Sequence, residues 1–167
     1  MSACVGRLSQ VRLGPWTWPW FALVLTACVP LWSRTFPGLE PVSPSVQLSG
    51  FLQVDTLQPQ LRWKPAKAQG VAYDLVVWDS GLDPEKAEPG ARFNWGTIVY
   101  QRDGLAETVH RVDMPLKPKT LYFWSVRTRE GSTLGDWSTF DGWVAVTGLV
   151  GTVRRDIRSA PFGFKTP

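Results

Sequence analysis

The chain has 167 residues, 44% of them hydrophobic and 19% charged, which excludes an intrinsically disordered chain and leaves room for one domain. Its formal charge is +4, but Arg7 and Arg12 lie in a segment expected to be removed, and without them 16 of the 18 basic residues face 14 acidic ones. The resulting net of +2 is too weak for nucleic acid to be an expected partner.

The N-terminus reads as an address. Residues 1–12 carry Arg7 and Arg12 and no acid, residues 13–27 carry no charge, and the segment ends Leu25-Thr26-Ala27-Cys28. A basic start, an apolar run and a small residue before the cut describe a secretory signal peptide. Leu-Thr-Ala-Cys resembles the bacterial lipobox, which implies that Cys28 becomes the first residue of the mature protein and carries the lipid that holds it on a membrane. Val29 rather than Asp after the cysteine points, by analogy with enteric sorting, to the outer membrane of a bacterial cell envelope. An uncleaved anchor is the alternative, because the uncharged run continues through Ser33 and approaches the roughly 20 residues that a bilayer needs. Pro15, Pro19 and Pro30 would interrupt such a helix. Cys4 and Cys28 both precede every predicted strand, so no disulfide is expected.

Residues 28–44 contain Pro30, Pro37, Pro41 and Pro44 and are expected to form a semi-extended tether. At roughly 3 Å per residue it would hold a domain spanning 45–167 some tens of Å from the lipid. Val46–Leu48 is a predicted first strand. Pro59–Pro65 alternates, with Leu61 and Trp63 on one face, and Trp63 is the predicted core centre because tryptophan buries the largest apolar area. Tyr73–Trp78 presents Tyr73, Leu75 and Val77 on one side and Asp74, Val76 and Trp78 on the other. The breaker-rich stretch from Asp79 to Gly90 is a loop. Gly96–Arg102 is a short strand, Asp103-Gly104 its turn, and Glu107–Val112 the next strand.

Leu116 to Arg129 is the most informative run. After a proline-bearing turn it alternates strictly, with Tyr122, Trp124, Val126 and Thr128 facing one way and Phe123, Ser125, Arg127 and Arg129 the other, a half-buried strand. The spacing Leu116-x-Pro118-x-Thr120-x-Tyr122 resembles the tyrosine corner of fibronectin type III domains, and Leu61-x-Trp63 resembles their second strand. That resemblance implies an all-β, fibronectin type III-like (immunoglobulin-like) β-sandwich over about residues 45–167. In that pattern the apolar residue three before the corner leucine would fall on Asp113, with Val112 one further back, so a one-residue shift is implied. Two stretches compete for the last strand: Trp137–Val146, and Pro161–Pro167, whose Phe164-Lys-Thr-Pro tail resembles the family's end. The second is preferred. It makes residues 131–160 a long insertion before the last strand, with pairing of its own around Trp143–Val146 and Val150–Arg154.

Catalytic chemistry finds little material. His110 is the single histidine and reads as an ordinary strand residue at a sheet edge, so no Ser-His-Asp or Cys-His arrangement and no His/Cys metal cluster can be assembled, and no cofactor is expected. Asp79, Asp83 and Glu85 share a loop that lacks the ligand spacing of a calcium site. What remains is surface. Val76, Trp78 and Phe123 on the second sheet face imply either a contact or cover by the long segments 79–96 and 131–160, with Arg127 or Arg129 stacking on Trp137. The candidate binding surface comprises Trp95, Trp137, Trp143, Arg154, Arg155 and Arg158. It would serve an envelope protein partner or, alternatively, a cell-wall glycan stacked on the tryptophans, and the arginines could meet membrane phosphates. A non-catalytic, lipid-anchored binding or assembly module is the expected function.

Overall fold

The computed structural model describes residues 31–48, 50–87, 96–148 and 151–167. In chain order the strands are β1 (Leu31–Thr35), β2 (Pro41–Ser43), β3 (Leu52–Gln53), β4 (Gln60–Trp63), β5 (Ala72–Asp79) and β6 (Thr97–Leu105). They are followed by β7 (Val109–Arg111), β8 (Leu121–Glu130), β9 (Thr133–Leu134), β10 (Phe140–Gly148), β11 (Gly151–Ala160) and β12 (Phe162–Lys165). Three sheets result: β2-β4-β7, then β3-β12-β8-β5-β6 with β9 beside β8, and β1-β10-β11. Every pairing is antiparallel except β12 with β3.

The first two sheets enclose the core in the way their alternation dictates. Leu61 and Trp63 of β4 meet Tyr73, Leu75 and Val77 of β5 and Tyr122, Trp124 and Val126 of β8. Trp63 packs edge-on to Tyr73 at 5.5 Å, and Trp124 edge-on to Phe162 at 5.1 Å. The indole N–H groups of Trp63 and Trp124 are buried with no hydrogen-bond partner among the described residues, a cost set against the apolar area these rings bring.

The second face of β5 and β8 is not open, as a half-buried strand would have it. Val76, Trp78, Leu121 and Phe123 form a smaller cluster capped by Phe51, Ala87 and Trp137. Ala87 and Trp137 come from the two long segments expected to supply cover, and the cover makes β5 and the first six residues of β8 almost wholly buried on both sides.

At the start of β8 the Lys117 N–H donates to the Tyr122 hydroxyl at 2.9 Å, while Leu116 is buried beneath the turn. Tyr122→Phe removes this bond and is expected to lower stability by about 1 kcal/mol, read as a fall in the urea midpoint at unchanged slope. An unchanged midpoint would mean that the corner bond contributes nothing.

The N-terminal boundary differs from expectation. Residues 31–44 are part of the folded body and not a tether: Leu31–Thr35 pair with β10, Pro41–Ser43 pair with β4, and Leu39 is buried with its N–H on the Ser138 hydroxyl at 2.7 Å. Proline-rich composition misleads here because β2 is an outer strand, where a missing N–H breaks no ladder. Val46–Leu48, the predicted first strand, is irregular, although Val46 lies in the core. The predicted turn at Asp103-Gly104 lies inside β6, which runs on to Leu105. Its Gly104 N–H is drawn to the Asp74 carboxylate at 3.1 Å. Val112 takes the core position before the corner, and Asp113 points outward to Arg102.

The last strand is β12, antiparallel to β8, as preferred. Between β9 and β12, β10 and β11 form a hairpin in which Val146 stands opposite Val153.

Candidate functional site

The hairpin is rooted in the core at its base. Phe140, Ile157 and Ala160 belong to the main cluster, and the Ser159 N–H donates to the Asp141 carboxylate at 2.6 Å across a register shift. Ser159 has φ 48°, a left-handed turn that this bond helps to hold. β1 lies along the other side of β10. A Cβ on Gly142 would stand 3.0 Å from Leu48 Cδ2 and 3.1 Å from the Ser33 carbonyl, a tight fit that would require Leu48 and β1 to give way by a few tenths of an ångström.

Registers Ser33↔Trp143↔Asp156 and Ala145↔Arg154 place Ser33, Trp143, Arg154 and Asp156 on one face of this sheet. The Arg154 guanidinium lies 4.9 Å from the Trp143 ring centroid, and its Nη2 is 2.8 Å from Asp156 Oδ1. Arg154, Asp156 and Arg158 are exposed and Trp143 is half-buried, so the ion pair adds little stability and the groups stay available to a partner. An open groove crosses the sheet here between Thr35 and Arg158. Among the described residues β11 is an outermost strand of this sheet. Such a surface can stack an aromatic ring or hold an acidic group.

No protein-family model, curated protein or solved structure matches this chain.

The remaining predicted residues disperse. Cys28 and Trp95 lie outside the described residues, and of Arg155 only the backbone pairing opposite Val144 is described. Trp137 is not an open binding residue. It packs edge-on to Trp78 at 6.2 Å and lies under Arg127, whose guanidinium is 4.4 Å from its ring centroid. Trp63, Trp124 and Tyr122 are core, as expected. Among the described residues no group of three or more His, Cys, Asp or Glu is placed to hold a metal ion.

Behind the Trp137 stack lies a charged centre that the sequence analysis passed over. Asp74 is fully buried. Arg129 Nε reaches its Oδ1 at 2.7 Å, Arg129 Nη2 and Arg127 Nε reach its Oδ2 at 2.8 and 3.0 Å, and the Gly104 N–H donates to Oδ1. Burial works against the charged form, but these donors together outweigh it and hold the carboxyl below its ordinary value. The available signal was one acid amid the apolar run from Ala72 to Trp78, on the same face as two arginines of the neighbouring strand.

A second cluster joins the two sheets at one side. The Tyr100 hydroxyl and His110 Nε2 are 2.7 Å apart, and the Arg102 guanidinium, paired with Asp113, lies 4.6 Å from the Tyr100 ring centroid. Burial first, then the Arg102 charge, pushes the His110 pKa below its ordinary 6.5, against the opposing pull of Asp113. The unfolded chain therefore binds this proton more readily than the fold does. The contribution is complete above 6.5 and is lost as pH falls below it. His110→Gln should flatten the slope of urea midpoint against pH between about 7 and 5. A slope identical to that of the parent would remove His110 as its cause.

Proposed function

We propose that this chain is a non-catalytic cell-envelope protein, held on a bacterial membrane by lipid on Cys28, whose fibronectin type III-like β-sandwich presents the β10–β11 hairpin to a protein partner. The fold reading is supported by the order β2-β4-β7 against β12-β8-β5-β6 and by the Lys117–Tyr122 corner bond. The address is supported by Leu25-Thr26-Ala27-Cys28, and Val29 favours the outer membrane. The observation that carries the binding reading is the Trp143–Arg154 stack beside exposed Asp156 and Arg158, on a sheet in which β11 is an outermost strand. Arginine stacked on an aromatic ring at a sheet margin suits contact with a protein surface. A glycan platform is less well supported, because Trp137 is spent on internal packing and Arg154 already stacks on Trp143.

Two measurements test the proposal. Intact mass of the membrane-extracted protein should show a chain beginning at Cys28 with added acyl mass, and Cys28→Ala should lose it; an unmodified chain retaining residues 1–27 would overturn the lipid anchor. A photocrosslinking residue at Arg158 should give one discrete protein adduct in cells that is absent with the same probe at exposed Gln101. Equal adducts at both positions, or none at Arg158, would overturn the binding surface.

A further inference from the structure

The outer face of the β2-β4-β7 sheet carries two cations that the fold leaves unanswered. Leu61 and Trp63 face the core, which turns Gln60, Arg62 and Lys64 of β4 outward. The registers Gln60↔Arg111 and Arg62↔Val109 put Arg111 of β7 on the same face, diagonal to Arg62. Both arginines are exposed. Lys64 is held by Glu40 at 2.7 Å, Arg102 by Asp113, Arg127 and Arg129 by Asp74, and Arg154 by Asp156. Arg62 and Arg111 have no hydrogen bond or ion pair among the described residues. Like charges this close on a sheet face repel, a cost that a bound anion would remove. Both line an open groove of about 540 Å³. β3 and the connection from it to β4 supply much of the remaining lining, apolar at Leu52 and Val54 and amide-bearing at Gln53 and Gln58, with Asp55 the one carboxylate.

We infer that this groove docks an acidic, extended segment of a protein partner, with one carboxylate on Arg62 and a second on Arg111. The sheet sets the spacing. Diagonal neighbours across an antiparallel pair stand about 7–8 Å apart. Side chains two residues apart on an extended segment share a face and stand about 6.5–7 Å apart. An acid-x-acid pattern therefore meets both arginines at once, each through the forked pair of bonds that a guanidinium makes to a carboxylate. A single dianion such as phosphate fits less well, because it would concentrate its charge in the groove that Asp55 lines. The site lies on a different sheet from the β10–β11 surface and does not depend on the lipid anchor.

The test is fluorescence anisotropy on the full chain in neutral detergent, with two labelled, end-blocked peptides of equal composition and charge. One is Ser-Thr-Glu-Val-Glu-Thr-Ser, with alternating acids, and the other is Ser-Thr-Glu-Glu-Val-Thr-Ser, with adjacent ones. The expected result is saturable binding of the alternating peptide, about fivefold tighter than the adjacent one and weakened by added salt. Arg62→Gln and Arg111→Gln should each weaken it about tenfold. Lys67→Gln, which removes an exposed cation outside the groove, should leave it unchanged, and Asp55→Asn should tighten it. Because both arginines are exposed and unpaired, the glutamine variants should keep the parent's urea midpoint, which separates lost binding from lost fold. No saturable binding of the alternating peptide would overturn the inference. So would equal binding of the two peptides, or an equal loss in Lys67→Gln, either of which would indicate unspecific attraction of charge. A parent that binds an oligogalacturonate and neither peptide would assign the groove to an acidic glycan and refute a protein segment there.

Discussion

Asp74→Ala is expected to cost about 3 kcal/mol, the lower end of the roughly 3–5 kcal/mol range for breaking a buried ion pair. The lower end applies because the groups left behind reach solvent: the side chains of Arg127 and Arg129 are 19% and 31% exposed, against 0% for Asp74. They can rehydrate, but they lose the anchor that holds Arg127 against Trp137, so the cover over Trp78 and Phe123 should loosen as well. Arg129→Met tests the other side. It leaves the buried carboxylate with Arg127 and the Gly104 N–H alone, which should raise the Asp74 pKa and move acid unfolding to higher pH. In the parent the folded value lies below the unfolded 3.8, so the stabilisation is complete above about pH 4 and is lost as pH falls through the lowered value. The gap in urea midpoint between parent and Asp74→Ala should accordingly narrow only in acid. A gap below about 1 kcal/mol at pH 7 would mean that the centre is no better than a surface pair.

Deleting residues 161–167 is expected to abolish cooperative unfolding. β12 lies between β3 and β8, and Phe162 and Phe164 are fully buried, one against Trp124 and the other stacked on Tyr122 at 5.8 Å. Thr166 adds a clamp on the corner, its hydroxyl donating to the Lys117 carbonyl at 2.7 Å and accepting the Thr120 N–H at 3.0 Å. Phe→Ala in a packed core costs about 3–5 kcal/mol, so losing both rings removes roughly 6–10 kcal/mol from a total stability that is ordinarily about 5–15 kcal/mol. Phe162→Ala alone should leave a folded but weakened protein, with a lower urea midpoint and retained near-ultraviolet dichroism. A truncated chain that still unfolds cooperatively would show that β10 can replace β12 beside β8.

The two centres differ in how far they could be read in advance. Phe162 and Phe164 belong to a short alternating run after a long interruption, and period-2 patterning is local. Asp74 is also visible, as one acid among apolar neighbours, but its meaning depends on Arg127 and Arg129 arriving opposite it through the register Asp74↔Arg127. The same dependence explains the misplaced boundary. Glu40 and Leu39 look like linker until Lys64 and Ser138 are brought beside them. Trp137 reads in sequence both as a binding residue and as a ring stacked by Arg127 or Arg129, and the structure has the second, with Arg127 over it and Trp78 at its edge.

Alternation by itself marked the strands β4, β5 and β8 and their two faces, because side-chain direction along a strand follows from backbone geometry one residue at a time, whereas the Tyr122 corner and β12 were legible only through the resemblance of Leu116–Tyr122 and of the C-terminal tail to a known pattern. Tertiary structure alone decided which faces stayed open and that residues 31–44 belong to the folded body. These depend on residues far apart in the chain meeting across sheets: β1 along β10, Ala87 and Trp137 over the second face, and two arginines around one buried carboxylate. Burial is a property of the pair, and a sequence states only one member at a time.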